Sequence, residues 1–164
     1  MDKNIIITGT SSGIGYELVK IFSTKGHNII ALSRNILPTN DLKLSNVYSI
    51  SFDINNNSDH KVLIEYISKN WKHVDILINN AGVLINKPFS ETTTEDFNKV
   101  YSTNVFGVAA IINNILPFAK KGCGNGSIFN TNMYSLLISY DIVVRTRNSI
   151  KIILGICLGL MIAN

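Results

Sequence analysis

The stretch Thr8-Gly9-Thr10-Ser11-Ser12-Gly13-Ile14-Gly15 directly follows the apolar run Ile5-Ile6-Ile7. A buried strand, a glycine-rich turn and then a helix form a cradle for an anion. Gly9 lets the backbone turn sharply. Gly13 removes a Cβ where phosphate oxygens must come close, and Gly15 lets the helix pack tightly on the strand layer. The helix start adds unpaired N–H groups and the positive end of its dipole. The ligand that suits this geometry is the pyrophosphate of a dinucleotide.

Outward from this turn, strand and helix patterns alternate. Residues 3–8 form the first expected strand. Residues 14–25 form a helix whose inner side is expected to carry Ile14, Leu18, Ile21 and Phe22, with Gly26 as its stop. A second strand covers 28–33, a polar loop holds Pro38, and a third strand covers 47–54. Ser58 is the expected N-cap of a helix running to about Trp71, with Val62, Leu63, Tyr66 and Ile67 inward and Trp71 closing it against the sheet. A fourth strand covers 74–79. Thr92 and Glu95 have capping-box spacing, and one long helix is expected from there past Asn104 to about Leu116, where Pro117 disturbs it. A turn at 122–126 leads to a fifth strand at 127–131. Alternation of this kind implies an α/β fold: a doubly wound, Rossmann-like parallel sheet covered on both faces. With no repeat and no linker, residues 1–164 are expected to form a single domain.

Composition agrees with a globular chain: of 164 residues, 46% are hydrophobic and 16% charged. The net charge of +4 comes from scattered residues, so no nucleic-acid partner is expected. Cys123 and Cys157 lie far apart with no CxxC pair, which argues against a metal site or a disulfide framework and favours a reducing, cytoplasmic setting. No signal peptide is visible at the start. The apolar stretch 152–163 carries Gly155 and Gly159 at GxxxG spacing, but it falls short of the roughly 17 residues a membrane helix needs. It is expected to be a buried core helix and not a membrane anchor. His27, His60 and His73 are expected at the surface.

Cofactor choice is written near the end of the second strand. NAD-binding units place an acid about 20 residues beyond the glycine turn, to hold the ribose 2′-OH. This chain instead reads Ala31-Leu32-Ser33-Arg34. A guanidinium there suits a 2′-phosphate, so NADP is expected in preference to NAD.

Four motifs in order give the chain a family resemblance. TGTSSGIG at 8–15, Asp53 after the third strand, NNAG at 79–82 and the asparagine of NVFG at Asn104 are similar to the short-chain dehydrogenases/reductases, and GSIFN at 126–130 resembles their fifth strand. The resemblance covers about residues 1–132. It implies an NAD(P)-dependent oxidoreductase that interconverts an alcohol and a carbonyl, in homo-oligomers built partly on the long helix. By that resemblance Gly9, Ser11, Ser12, Gly13, Ile14 and Gly15 surround the pyrophosphate, beside Arg34, which its own position already suits to a 2′-phosphate. Asp53 and Ile54 meet the adenine, and Asn80, Ala81 and Gly82 line the ribose and steady the sheet. Asn104 belongs to the catalytic set, where it holds a water in the proton relay. No metal is implied.

Residues 133–164 depart from the pattern. The family uses a serine soon after the fifth strand, then Tyr-x-x-x-Lys, in which the lysine lowers the tyrosine pKa so that the phenol can donate and accept the proton. The serine is expected near Met133, and Ser135 is out of register. Tyr134 has Ile138 four residues on, and Tyr140 has Val144. Lys151 has Arg147 at the tyrosine position, and arginine keeps its proton. The pair Tyr16 and Lys20 has the spacing but sits beside the glycine turn. The expectation is therefore a truncated or frameshifted family member, its sheet incomplete at the C-terminal side beyond the fifth strand. Its alternatives are a non-catalytic NADP-binding or assembly module, and a poorly folding product with an open sheet edge.

Overall fold

Three consecutive isoleucines make a strand that is buried on both faces, the signature of a parallel sheet. In the computed structural model, which describes residues 2–119, 127–130 and 151–154, this strand is β1 (Asn4–Thr8), and Ile5, Ile6 and Ile7 are fully buried. The chain continues through α1 (Gly13–Thr24), β2 (Asn28–Ser33), a short α2 (Leu37–Asn40), β3 (Val47–Ser51), α3 (Asn57–Asn70) and β4 (Ile76–Asn79). Then come α4 (Thr94–Tyr101), a π-helical segment (Ser102–Gly107), α5 (Val108–Ile115), β5 (Ser127–Asn130) and β6 (Lys151–Leu154).

Among the described residues all the strand pairs are parallel, in the order β3-β2-β1-β4-β5-β6. Side chains alternate across the sheet. Ile6, Ile30, Leu32 and Leu77 point to one core with Leu63 and Ile67 of α3 and Ile111, Ile112 and Ile115 of α5. Ile5, Ile7, Ile29, Ala31 and Ile78 point to the other with Val19 of α1. The doubly wound α/β fold is therefore as expected. Strand order reverses between β1 and β4, which opens a crevice beyond their C-terminal ends.

The sheet differs from expectation at its far edge. It does not stop at β5: Lys151–Leu154 pairs with β5 residue by residue, from Ser127 with Lys151 to Asn130 with Leu154. The expected core helix over 152–163 thus begins as strand. A short apolar run has no periodicity to separate the two states, and Ile152 and Ile153 are β-branched. Cys123, Cys157, Met133, Tyr134, Ser135, Tyr140 and Arg147 lie outside the described residues.

Helix phases and ends also differ. Leu18 and Phe22 pack half-buried on the second core as expected, but Ile14 and Ile21 are 55% and 47% exposed, and α1 buries Gly15, Val19 and Ser23. On α3, Val62 is exposed and the inward stripe is His60, Leu63 and Ile67. Trp71 does end α3 and packs half-buried on the core. Asn56, not Ser58, caps α3, because its side-chain oxygen accepts the Ser58 N–H at 3.0 Å. Pro38 sits in the first turn of α2 where a loop was expected, a position that needs no N–H. β3 ends at Ser51, so residues 52–54 are loop. The capping box lies one residue later than expected, between Thr93 and Asp96. The expected long helical region does run from Thr94 to Ile115, but as α4 and α5 joined by the π-helical segment.

Candidate functional site

The glycine turn leaves β1 with Gly9 at φ +72°, its N–H donating to the Leu32 carbonyl at 2.8 Å. The start of the segment after β4 braces it. Thr8 Oγ1 accepts from the backbone N–H groups of Asn80 and Ala81 at 3.0 and 2.9 Å. Asn80 Nδ2 donates back to the carbonyls of Thr8 and Gly9 at 3.2 and 3.0 Å. A Cβ on Gly9 would come within 2.8 Å of Ala81 Cα, and one on Gly15 would collide with the Gly9 carbonyl and Asn80. Gly13 is different. It has φ +59°, and a Cβ there would meet nothing within 4 Å. Open space over a left-handed glycine at a helix start is what a phosphate cradle requires. Ser12 at the N-cap of α1 makes no capping bond through its side chain, and the first turn holds no acid. The positive end of the helix is thus left available to an anion.

From this turn a groove of about 380 Å³ crosses the C-terminal ends of β1, β2, β3 and β4. Nine residues expected at the site line it: Gly9, Ser11 and Ser12 from the turn, Arg34 after β2, Asp53 and Ile54 after β3, and Asn80, Ala81 and Gly82 after β4. Arg34 is exposed at the rim. Asp53 is half-buried and tightly held: its N–H donates to Asp59 Oδ2 at 2.7 Å, and its Oδ1 accepts the Asn55 N–H at 2.9 Å. These residues and geometry fit a dinucleotide, with an anion cradle at one part of the groove and a carboxylate and a guanidinium at another.

Four expected residues do not line the groove. Gly13, Ile14 and Gly15 form the first turn of α1. Asn104 is buried in the π-helical segment, where Oδ1 accepts the Val83 N–H and Nδ2 donates to the Val83 carbonyl, both at 2.9 Å. In the described structure this side chain clamps the segment that follows β4. The π-helical turn is what brings Asn104 to that backbone.

The groove also has members that sequence reading did not single out. Thr8 is the bracing hub just described. Phe52 and Thr103 line the wall, and Asn55 Nδ2 donates to Thr103 Oγ1 at 3.0 Å, tying the loop after β3 to the π-helical segment. Gly107 lies where a Cβ would come within 2.8 Å of Ile54. His60, expected at the surface, is 4% exposed; His27 and His73 are half-buried, and His73 pairs with Asp75 at 3.2 Å. The polarity of Asn55 and the glycine in NVFG were the available signals. Nothing local marks His60.

Comparison with known proteins decides the family. The short chain dehydrogenase family matches residues 3–136. The chain belongs to that family. Among its short chain dehydrogenase relatives, the chloroplastic chlorophyll(ide) b reductase NOL of Oryza sativa subsp. japonica is 33% identical over 137 residues, covering 77% of this chain and 40% of that protein. The 3-ketodihydrosphingosine reductase of Bacteroides thetaiotaomicron is 32% identical over 126 residues, covering 77% and 45%. The chain thus spans less than half the length of these relatives. Solved structures share the fold. A short-chain dehydrogenase from Streptomyces avermitilis superposes with a TM-score of 0.82 at 23% identity, covering 94% of this chain and 65% of that one. L-Sorbose reductase from Gluconobacter frateurii, complexed with NADPH and L-sorbose, gives 0.68 at 23% identity, covering 79% and 51%.

Proposed function

We propose that this chain holds a nicotinamide dinucleotide, NADP in preference to NAD, in the groove across the sheet, and that these 164 residues alone bind it without turning over a carbonyl. One observation carries the reading: the glycine turn, Arg34, Asp53 and the NNAG segment, far apart in sequence, line one groove, and beside it a Cβ on Gly13 would meet nothing within 4 Å. Gly9, Ser11, Ser12, Gly13, Ile14 and Gly15 surround the diphosphate, and Arg34 meets the 2′-phosphate by a charged, forked contact. Asp53 offers its remaining carboxylate oxygen to the adenine amino group, beside Ile54. Asn80, Ala81 and Gly82 flank the ribose nearer the β4 end.

When bound, the nicotinamide supplies hydride chemistry between an alcohol and a carbonyl. The proton for that exchange needs an acid of suitable pKa near the substrate. The sequence holds no Tyr-x-x-x-Lys after β5. Asn104 acts through the Val83 backbone, placing the wall beside the nicotinamide and the water of the family's relay. A frameshift behind residues 133–164 belongs to the same proposal, as do a reducing, cytoplasmic setting, a single domain over 1–164 and the lack of a nucleic-acid or membrane partner. Among the described residues no helix is long and apolar enough to cross a membrane.

Pairing with a second copy of the chain also belongs here. The apolar residues of α5 are spent on its own core, whereas Phe97 and Tyr101, one turn apart on α4, are each 46% exposed. That face suits self-association, and light scattering of the purified chain reads it directly. Titration with NADPH and NADH, followed by a turnover assay with a panel of carbonyls, tests the main reading. Tighter binding of NADPH without oxidation supports it. Oxidation of NADPH by any carbonyl overturns the binding-only reading, and no association at millimolar nucleotide overturns the site.

A further inference from the structure

The bend at residues 53–55 carries the adenine end of the groove, and it is anchored from behind by a buried histidine. His60, on α3, places Nε2 2.9 Å from the Ile54 carbonyl oxygen. A carbonyl can only accept, so the proton sits on Nε2. Nδ1 is then an acceptor, and Asn114 Nδ2 of α5 donates to it at 3.0 Å. The ring also meets Phe52 edge-on, with centroids 4.9 Å apart. Phe52 and Ile54 both line the nucleotide groove, on the far side from His60. His60 and Asn114 open instead on a separate cleft, shared with Lys61 and Glu65.

We infer that His60 is a positioning residue for the adenosine half of the ligand, with Asn114 fixing its tautomer. The inference rests on the dinucleotide reading of the groove. Its logic is that of a second anchor. Asp59 holds the Asp53 N–H and Thr103 holds the Asn55 side chain, so the carbonyl of Ile54 between them is the third point that sets the bend. An apolar residue in place of His60 leaves that carbonyl buried without a partner. The bend then turns to find one, and the Asp53 carboxylate moves with it. The nicotinamide half, which lies toward Asn80 and Gly82, feels none of this.

The test titrates the full chain, and its His60→Val, His60→Gln and Asn114→Leu variants, with adenosine 2′,5′-bisphosphate and separately with reduced nicotinamide mononucleotide. His60→Val is expected to weaken the adenosine ligand by about tenfold and to leave the nicotinamide ligand unchanged. His60→Gln, whose amide nitrogen lies close to the position of Nε2, restores most of the loss. Asn114→Leu gives a smaller loss, again confined to the adenosine ligand. In wild type, nitrogen NMR of the ring is expected to show a neutral imidazole protonated at Nε2, shifting when adenosine 2′,5′-bisphosphate is added. Equal weakening of both ligands, or unchanged affinity in the variants, overturns the inference while the groove reading stands. A wild-type chain that binds neither ligand overturns both. If His60→Val does not fold, the Asn114→Leu titration and the NMR signature decide alone.

Discussion

Two glycines in the same turn serve opposite needs. Gly15 is required by the protein itself, because a methyl group there collides with the Gly9 carbonyl. Gly13 has room for a methyl group but a backbone in the left-handed region. Gly15→Ala is therefore expected to lower stability by about 2–3 kcal/mol, read from a urea unfolding curve. Gly13→Ala costs only about 1 kcal/mol for its backbone, yet puts a methyl group where the proposed diphosphate would lie, so it is expected to weaken NADPH far more than it lowers the unfolding midpoint. Equal damage to folding and binding in both variants would sink the distinction. Arg34 gives a second contrast. Arg34→Leu is expected to weaken NADPH by about 10- to 100-fold, the worth of a charged hydrogen-bonded pair, and to leave NADH as it was. The glycine turn and Arg34 were legible from the residues around them, and Asp53 and Asn80 through the family resemblance, since Thr8 and Gly9, the partners of Asn80, lie far off in the chain. Gly107 and His60 were not. Their reasons are Ile54 and Asn114, each more than fifty positions away.

Elements were legible where the apolar pattern was long and blurred where it was short. The strands β1, β2 and β4 fall where the isoleucine-rich runs lie. The buried stripe of α1 lies one position beyond the one expected, whereas on α3 Leu63, Tyr66 and Ile67 face inward as expected and only Val62 does not; Ile14, Ile21 and Val62 are apolar residues that spill around to the exposed side. The π-helical segment had no signal at all, since one extra residue in a turn leaves the sequence unchanged in character. The start of α4 offers a test at this scale. Asp96 closes the capping box with Thr93 and also pairs with Lys87, which lies in the segment between β4 and α4. The Lys87 ammonium first, then the Thr93 N–H, hold its carboxyl down at about 2, below the usual 3.8. A carboxyl whose pKa is lower in the folded chain stabilises that chain above its unfolded pKa. The contribution is lost as pH falls from about 4 toward 2. Asp96→Asn is thus expected to be less stable than wild type at pH 7, with the gap closing by pH 2. Urea midpoints measured across that range check it, and a gap that stays constant with pH would remove the ion pair from the account.

At the scale of the molecule, the groove exists because strand order reverses between β1 and β4, so that the loops leaving their C-terminal ends part from each other. The alternation of strand and helix patterns made this architecture readable in advance. The sixth strand was hidden, because its three apolar residues, Ile152 to Leu154, serve equally well in a helix and a parallel edge. A groove assembled from loops after four strands has a thermodynamic consequence. Its ligand contacts segments that are far apart in sequence, so an unfolded chain offers no site, and binding adds its full free energy to folding. Nucleotide at 100 times its dissociation constant contributes about 2.7 kcal/mol. A domain of this size gains about 2–4 °C per kcal/mol, so NADPH is expected to raise the melting temperature by about 5–10 °C. NADH at the same concentration gives a smaller rise, and Arg34→Leu brings the two shifts together. A calorimetric scan with and without each nucleotide reads all three. Equal shifts from NADH and NADPH in wild type would take the 2′-phosphate contact away from Arg34, and no shift from either would mean that the four loops do not meet around a dinucleotide.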